Sequence, residues 1–371
     1  MRIDRRGSLI AGLAVAAVFA AVALPAPARA QGAKKPAEKA KKTKTPFDTI
    51  KYNPTRLFAS NEPLTFTLTL DLGRIKKDRT GETPYRPAVL SFKDADSASY
   101  TVPIRVQTRG IWRRKNCDIP PLRLDLPKDS IKHTVLAGQN RIKIVIPCRN
   151  KDDYEQMILQ EANLYRVYNL LTPLSHRMRV VRLTVVDSSA PAKPVMTRWA
   201  FITESSGEMA ARNASIEYDV KGATNGDLDS KTATIVGLFQ YMIGNTDFSI
   251  PALHNVELLA RQMDVFPVVY DFDWTGVVNP PYGFPDSRLG IKRLTDHLFR
   301  GPCGSGAEFP AVVELFKSKR DEINALFKDR IGQLMDPDRS KETLAFFDDF
   351  YKTIGNERTA RREILDQCRT P

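Results

Sequence analysis

The feature that most constrains the fold is a two-residue alternation of apolar and polar side chains in the first half of the chain. From residue 64 to residue 72 every second residue is Leu or Phe, and the residues between them are Thr and Asp. This period is typical of a strand with one buried face. The same pattern recurs at 102–106, 122–126 and 142–146, and Pro and Gly residues separate the runs. The first half is therefore predicted to be strand-rich.

The rest of the chain combines helices with fewer strands. A helix is predicted at about 153–171, followed by two strands at 179–186 and 197–203. A second helix is predicted at 231–243 and ends at Gly244, a residue typical of that position. Two short strands are predicted at 254–259 and 266–270, and apolar residues at helical spacing predict helices within 312–331 and 344–354. This order predicts an α+β fold, with a strand-rich lobe at 47–205 and a mainly helical lobe at 206–371.

The N-terminus has the three parts of a secretory signal. Arg2, Arg5 and Arg6 form a basic start, residues 9–24 are apolar, and small residues occupy both recognition positions of Ala28-Arg29-Ala30. We therefore expect residues 1–30 to be a signal peptide, the mature protein to be periplasmic or extracellular, and no membrane span to remain. The Arg5-Arg6 pair leaves the general secretory and twin-arginine routes both open.

The positive charge is concentrated near the N-terminus. Of the formal net charge of +13, residues 1–30 carry +3 and residues 31–46 carry +5, which leaves +5 for residues 47–371. The Lys/Ala/Pro-rich tract 31–46 has little to bury and is predicted to be a disordered tether. Because most of the excess lies in these two segments, we expect no specific nucleic-acid partner.

The four cysteines predict two disulfides. An even number in an exported chain is typical of disulfide bonding. Of the three possible pairings we favour Cys117–Cys148 with Cys303–Cys368, because each bond then closes within one half of the chain. A structural zinc site is disfavoured, since no two cysteines lie close in sequence.

Between residues 244 and 276 lies a group of acidic and amide residues whose side chains suit a metal ion. Asp271 and Asp273 directly follow the apolar run 266–270, while Asp247 and Asn255 lie in the loop after the predicted helix. Such oxygen ligands suit Mg²⁺ or Mn²⁺, and a metal with a carboxylate that orients an attacking hydroxyl is most of what phosphoryl transfer needs. Serine-hydrolase and zinc-hydrolase motifs are absent from the sequence.

The order Asn-Thr-Asp, His-Asn and Asp-Phe-Asp resembles the catalytic and metal-binding loops of the protein-kinase-like superfamily, most closely the CotH family of secreted, spore-coat-type kinases. Thr108-Arg109-Gly110-Ile111-Trp112, followed by Lys115, is similar to that family's Arg-Gly…Trp…Lys segment. The resemblance implies a two-lobed protein-kinase-like fold, with an N-terminal antiparallel sheet lobe containing one helix and a mainly helical C-terminal lobe. No Gly-rich loop precedes Lys143, and Asn245-Thr246-Asp247 stands where kinases have His-Arg-Asp.

The resemblance also implies roles for individual residues. Asp247 would be the catalytic acid of the loop, and Asn255, Asp271 and Asp273 would hold Mg²⁺ or Mn²⁺. Lys143 would bind the phosphates of ATP, with Glu161 as its partner on the next helix.

Several of these positions have a second interpretation. Glu161 shares a helical face with apolar residues and therefore needs a nearby cation, which could equally be Arg109 or Arg141. Arg109 and Lys115 are further candidates for contacts with the phosphates of ATP.

Two functions remain open from the sequence. The first is a metal-dependent phosphotransferase that moves phosphate from ATP to a protein or another hydroxyl acceptor. The alternative is a non-catalytic binding or structural protein of the cell envelope, favoured by the scarcity of ATP outside the cytosol. The acceptor, whether a protein or another envelope component, and the oligomeric state are not specified by these patterns.

Overall fold

A computed structural model describes residues 45–94, 97–302 and 306–368 of the chain. The predicted signal peptide, residues 31–44 of the predicted tether and Cys303 lie outside these ranges. Within them, no helix combines the length and the apolar composition that crossing a bilayer requires.

Strands dominate the described chain up to residue 203 and recur later as one small sheet. The described strands are β1 (Leu64–Leu70), β2 (Arg86–Lys93), β3 (Ser99–Thr108), β4 (Leu122–Asp125), β5 (Arg141–Val145), β6 (Met178–Asp187), β7 (Met196–Thr203), β8 (Ile216–Glu217), β9 (Val256–Arg261) and β10 (Asp264–Val269). The strands predicted from alternation are confirmed to within a few residues at their ends. β2 and β8 were not predicted.

Helices lie mostly in the second half. The described α-helices are α1 (Leu72–Lys77), α2 (Trp112–Asn116), α3 (Lys128–Ile131), α4 (Asp152–Leu171), α5 (Ser206–Arg212), α6 (Ser230–Met242), α7 (Glu308–Leu326), α8 (Pro337–Gly355) and α9 (Glu357–Glu363). The four longer helices that were predicted, α4, α6, α7 and α8, are confirmed.

The first seven strands close into a barrel in the order β1-β2-β3-β4-β5-β7-β6. Neighbouring strands are antiparallel except at the closure, where β1 runs parallel to β6 and Leu64 lies opposite Val181. The alternation explains the interior, since Leu64, Phe66, Leu68 and Leu70 are all buried. Their polar neighbours face outwards.

The expected two-lobed protein-kinase-like fold, with an antiparallel sheet as its N-terminal lobe, is therefore wrong. The described chain instead contains a closed seven-stranded mixed barrel, a separate three-stranded sheet in the order β10-β9-β8, and nine α-helices. Alternation identifies the buried face of each strand but not its neighbours. The parallel return of β6 beside β1 was therefore not visible in the sequence.

Two hydrophobic cores result from this arrangement. One fills the barrel, and the other joins the outer face of β6 and β7 to the helices and to β9 and β10. Helix α4 contacts β6 and β7 as well as α7 and α8, so 14 of its 20 residues are buried. This burial places the side chain of Glu161, near the middle of α4, where water does not reach it.

The predicted Cys117–Cys148 disulfide is confirmed. It joins the end of α2 to the segment between β5 and α4. Cys368 is also disulfide-bonded, but its predicted partner Cys303 lies outside the described residues.

Candidate functional site

Backbone pairing brings the two predicted site loops together. Helix α6 ends at Met242, and Gly244, two residues further on, adopts a left-handed conformation with φ of 63°. The Gly276 N–H donates to the Gly244 carbonyl at 3.0 Å, and the Val277 N–H donates to the Ile243 carbonyl at 3.2 Å. The loop containing Asp247 therefore runs beside the segment that follows Asp271 and Asp273.

Asp247 is held by two neighbours in its own loop. His254 Nε2 lies 2.8 Å from Asp247 Oδ1, and Asn255 Nδ2 donates to Asp247 Oδ2 at 3.2 Å and to its carbonyl at 2.8 Å. The Asp247 side chain remains 42% exposed. It is thus oriented and still accessible to a second molecule.

Asp271 and Asn255 both adopt the left-handed conformation, with φ of 64° and 53°. This region is uncommon for residues other than glycine, and such residues cluster at functional sites. The Asp271 N–H donates to the Tyr165 hydroxyl at 2.9 Å, and the Tyr270 N–H donates to the Asn255 carbonyl at 3.1 Å. These bonds connect α4, the end of β10 and the Asp247 loop.

Asp273 is a mostly buried carboxylate paired with a cation that the sequence interpretation overlooked. Arg113 Nη1 of α2 lies 3.7 Å from Asp273 Oδ2. Burial, followed by the negative charge of Asp271, raises the pKa of Asp273 to about 7, although Arg113 acts in the opposite direction. Arg109 acts on Asp273 in the same direction as Arg113.

Glu161 adds a third acid to this cluster. It is 1% exposed, and its Oε2 atom has no hydrogen-bond partner among the described residues. Burial, followed by the charges of Asp273 and Asp271, raises the pKa of Glu161 well above its ordinary value, while Arg113 and Arg109 lower it. The cations that act on Glu161 are thus arginines.

Arg141, the other proposed partner of Glu161, pairs with Asp125 at 3.5 Å. Among charged side chains, Glu257 of β9 has the largest electrostatic effect on Lys143 of β5. Burial lowers the pKa of Lys143, while Glu257 acts to raise it. Lys143 Nζ also lies 5.7 Å from the centre of the Tyr270 ring.

Glu257 is held in turn by Ser206 Oγ, which donates to it at 2.7 Å, and by His176 Nε2 at 3.3 Å. Lys143 is thus at the edge of the acidic cluster, because Asp271 and Arg109 also contribute to its electrostatic environment.

All predicted site residues except Lys115 lie in contact or within electrostatic range of one another. They are Asp247, Asn255, Asp271, Asp273, Glu161, Arg109 and Lys143. Lys115 is exposed on α2, and no hydrogen bond or ion pair of its side chain is found in the described part of the chain. Its backbone carbonyl accepts a bond from Arg79.

Sequence reasoning missed Arg113, Tyr165 and Glu257. Arg113 directly follows Trp112 in the segment that was singled out. Arg109 of that segment was proposed as a partner of Glu161, whereas Arg113 was not. Glu257 is an acid between Val256 and Leu258, both buried, and a lone carboxylate in an apolar strand is a usable signal for a buried pair.

No preformed metal site is found at this cluster in the described part of the chain. The described residues hold no group of three or more His, Cys, Asp or Glu side chains arranged around a metal position. Burial, followed by the charges of neighbouring carboxylates, raises the pKa of both Glu161 and Asp273, and the Glu161 Oε2 atom has no hydrogen-bond partner among the described residues. An ion bound by Asp271 and Asp273 would need further ligands from water or substrate, as Mg²⁺ commonly has.

Two cavities in the described part of the chain lie away from this cluster. One, of about 470 Å³, is lined in part by Arg166, Arg177 and Arg212. The other, of about 370 Å³, lies beside Tyr218 and Met263.

Comparison with known proteins adds no relative. No protein-family model matches the sequence, and no curated protein matches it either. The resemblance to the CotH family therefore stays a prediction from short motifs, and functional inference rests on the geometry of the site.

Proposed function

We propose that this protein is an exported, metal-dependent phosphotransferase that moves phosphate from ATP to a hydroxyl group of a protein or another acceptor. One observation carries the proposal. Three acids, Glu161, Asp271 and Asp273, share one mostly buried region with the cations Arg109 and Arg113. Carboxylates for a metal and cations for phosphate oxygens are the two sets of groups that phosphoryl transfer uses.

Asp271 and Asp273 are the residues that would hold Mg²⁺ or Mn²⁺. Both Asn255 bonds to Asp247 come from its Nδ2 atom, which leaves the Asn255 Oδ1 oxygen for the same ion. When bound, the ion would offset the negative charge of the phosphates.

Lys143 and Arg109 would contact the phosphates. Burial disfavours the charged form of Lys143, so an anionic ligand beside it would restore that charge and gain binding energy. Because Asp271 also contributes to the environment of Lys143, both groups would face the same ligand.

Asp247 would accept the proton of the acceptor hydroxyl. His254 and Asn255 fix its two carboxylate oxygens, and its exposed position leaves it open to the acceptor. A positioned carboxylate of this kind is a suitable general base.

The proposal is tested by transfer of labelled phosphate from ATP, with Mg²⁺ and Mn²⁺ supplied separately to the oxidised mature protein. We expect incorporation that Asp271→Asn and Asp247→Asn each reduce at least a hundredfold. Asp264→Asn is the matched control, because Asp264 is exposed in the β9–β10 turn. Absence of incorporation, together with no metal-dependent effect of nucleotide on melting temperature, would overturn the proposal.

One observation favours the non-catalytic alternative. Lys143 interacts most strongly with Glu257 rather than with Glu161, so the lysine–glutamate pair expected of a kinase-like site is not assembled. A non-catalytic envelope binding or structural protein would show no transfer to any acceptor and no metal-dependent effect of nucleotide on the melting temperature.

A further inference from the structure

An exposed aromatic surface lies beside the acidic cluster. It consists of Ile111, Trp112, Trp274, Tyr282 and Phe284, which we call the aromatic surface. The rings of Trp112 and Tyr282 stack with centres 4.5 Å apart, and Trp274 contacts Trp112 edge-on at 5.5 Å. Phe284 packs edge-on against Trp274 at 5.7 Å. Two of the chain's three tryptophans are therefore in this surface.

Its two outermost members are unusually exposed. Ile111 is 80% exposed and Phe284 is 68% exposed. The Trp274 indole N–H is already used, because it donates to the Phe284 carbonyl at 3.0 Å. The surface therefore presents mainly carbon to solvent, and adjoining apolar side chains of this kind are typical of a binding surface.

The border of the aromatic surface is basic. Arg114 and Lys115 follow Trp112 in α2, and Arg79 donates to the carbonyls of Arg114, Lys115 and Cys117. In the ranges that the structure describes, no carboxylate forms an ion pair with Arg79, Arg114 or Lys115. Three cations without acidic partners favour an acidic ligand.

The aromatic surface is continuous with the proposed site. Trp112 precedes Arg113, which pairs with Asp273. Burial, followed by the charge of Asp273, raises the pKa of Tyr282, and Arg113 acts in the opposite direction. The aromatic surface therefore adjoins the acidic cluster through Arg113 and Tyr282.

We propose that the aromatic surface, with the cations of α2 and Arg79, binds an acidic protein segment containing aromatic or aliphatic side chains. We further infer that this segment is the acceptor substrate, a step that rests on the proposed function. The acceptor oxygen would bond to the γ-phosphorus of ATP as the bond from that phosphorus to the bridging oxygen breaks. ADP leaves, and the hydroxyl proton passes to Asp247 and then to water.

Binding can be measured without ATP, by fluorescence anisotropy of a labelled random copolymer of Glu and Tyr added to the oxidised mature protein. Poly-Glu tests negative charge without aromatic side chains, and a Lys/Tyr copolymer tests aromatic side chains combined with positive charge. We expect the Glu/Tyr copolymer to bind at least tenfold more tightly than poly-Glu, and the Lys/Tyr copolymer not to bind.

Matched variants locate the surface. The double variant Ile111→Ser, Phe284→Ser and the single variant Lys115→Glu should each weaken copolymer binding about tenfold. Met263→Ser is the control for the double variant, because it removes another apolar side chain, 94% exposed at a distant turn. Lys193→Glu is the control for Lys115→Glu, because it reverses the charge of an exposed lysine elsewhere. Neither control should change copolymer binding. Because Lys115 is exposed, its variant remains informative even if the double variant melts earlier.

The outcomes separate this inference from the proposed function. Binding without phosphorylation supports the surface and counts against phosphotransfer. Phosphorylation of other acceptors, with no copolymer binding, overturns the surface alone. Preferential binding of soluble oligosaccharides or anionic vesicles, lost in the double variant, would also overturn the assignment to an acidic protein segment.

Discussion

Glu204 lies directly after β7, fully buried, and its carboxylate accepts hydrogen bonds from two arginines. Arg177 donates from Nε at 3.1 Å and from Nη2 at 2.7 Å, and Arg212 of α5 donates from Nε at 3.1 Å and from Nη2 at 2.9 Å. Burial alone would raise the pKa of Glu204, but the bonds from Arg212 and Arg177 outweigh it and lower the pKa. This carboxylate ties the barrel to α5.

Glu204→Gln is expected to lower the free energy of unfolding by about 3 kcal/mol. Removing one partner of a buried ion pair costs about 3–5 kcal/mol, because the remaining charge is left without compensation. The lower end applies here. Arg177 keeps Glu208 at 3.2 Å, and Arg212 keeps two backbone carbonyls as acceptors.

Urea titration of the oxidised protein measures this change. Asp348→Asn is the control, since it removes a half-exposed pair with Arg320 at 2.8 Å and should cost at most about 1 kcal/mol. The Glu204 contribution is present above its unfolded pKa near 4.5 and is lost as pH falls through its lower folded value. The gap between wild type and Glu204→Gln should therefore close in acid. A loss no larger than that of Asp348→Asn at neutral pH would refute the reasoning.

Three further outcomes are expected. Replacing Cys117 and Cys148 with serine should lower stability by about 3–4 kcal/mol in a guanidinium titration, because the bond closes a loop across a sequence separation of 31. Mg²⁺ affinity, measured by calorimetry, should rise about tenfold per pH unit up to about 7 and then level off. This follows because the metal needs ionised Asp273, whose pKa is about 7; Asp273→Asn should remove the dependence. Gly276→Ala should lower the melting temperature by several degrees, since a Cβ atom there would meet a backbone carbonyl oxygen at 2.7 Å. Gly355→Ala, with open space around it, should not.

Local pattern accounts for most of the strands and helices but not for their assembly. Alternation located four of the barrel strands, β1, β3, β4 and β5, whose inward-facing residues are buried in the barrel core. β2 has the same period at Ala88, Leu90 and Phe92, all buried, yet Pro87 argues against a strand interior. Closure depends on pairing β1 with β6, more than a hundred residues apart. No local period encodes such a contact.

The site was predictable to the level of loops. Polar residues after an apolar strand and after a helix end indicated Asp247, Asn255, Asp271 and Asp273, and the backbone brings those two loops side by side. Of the two arginines proposed for Glu161, Arg109 is among the cations that act on it and Arg141 pairs with Asp125, whereas Arg113 was not predicted. Arg113 acts on Glu161 because of where α2 lies, and this position is set by contacts distant in sequence.

The position of α2 connects the disulfide to the charge balance of the site. A helix of five residues has little stability of its own. Cys117 bonds Cys148 at its end, the Asp118 N–H donates to the Cys148 carbonyl at 2.9 Å, and Arg113 donates to the Ile146 carbonyl. All three contacts hold α2 to the segment between β5 and α4. Arg113 is also the cation that pairs with Asp273. Reducing the disulfide would therefore leave Arg113 less firmly positioned. Its positive charge would then offset less of the negative charge of the acidic cluster, and the pKa of Asp273 would rise further.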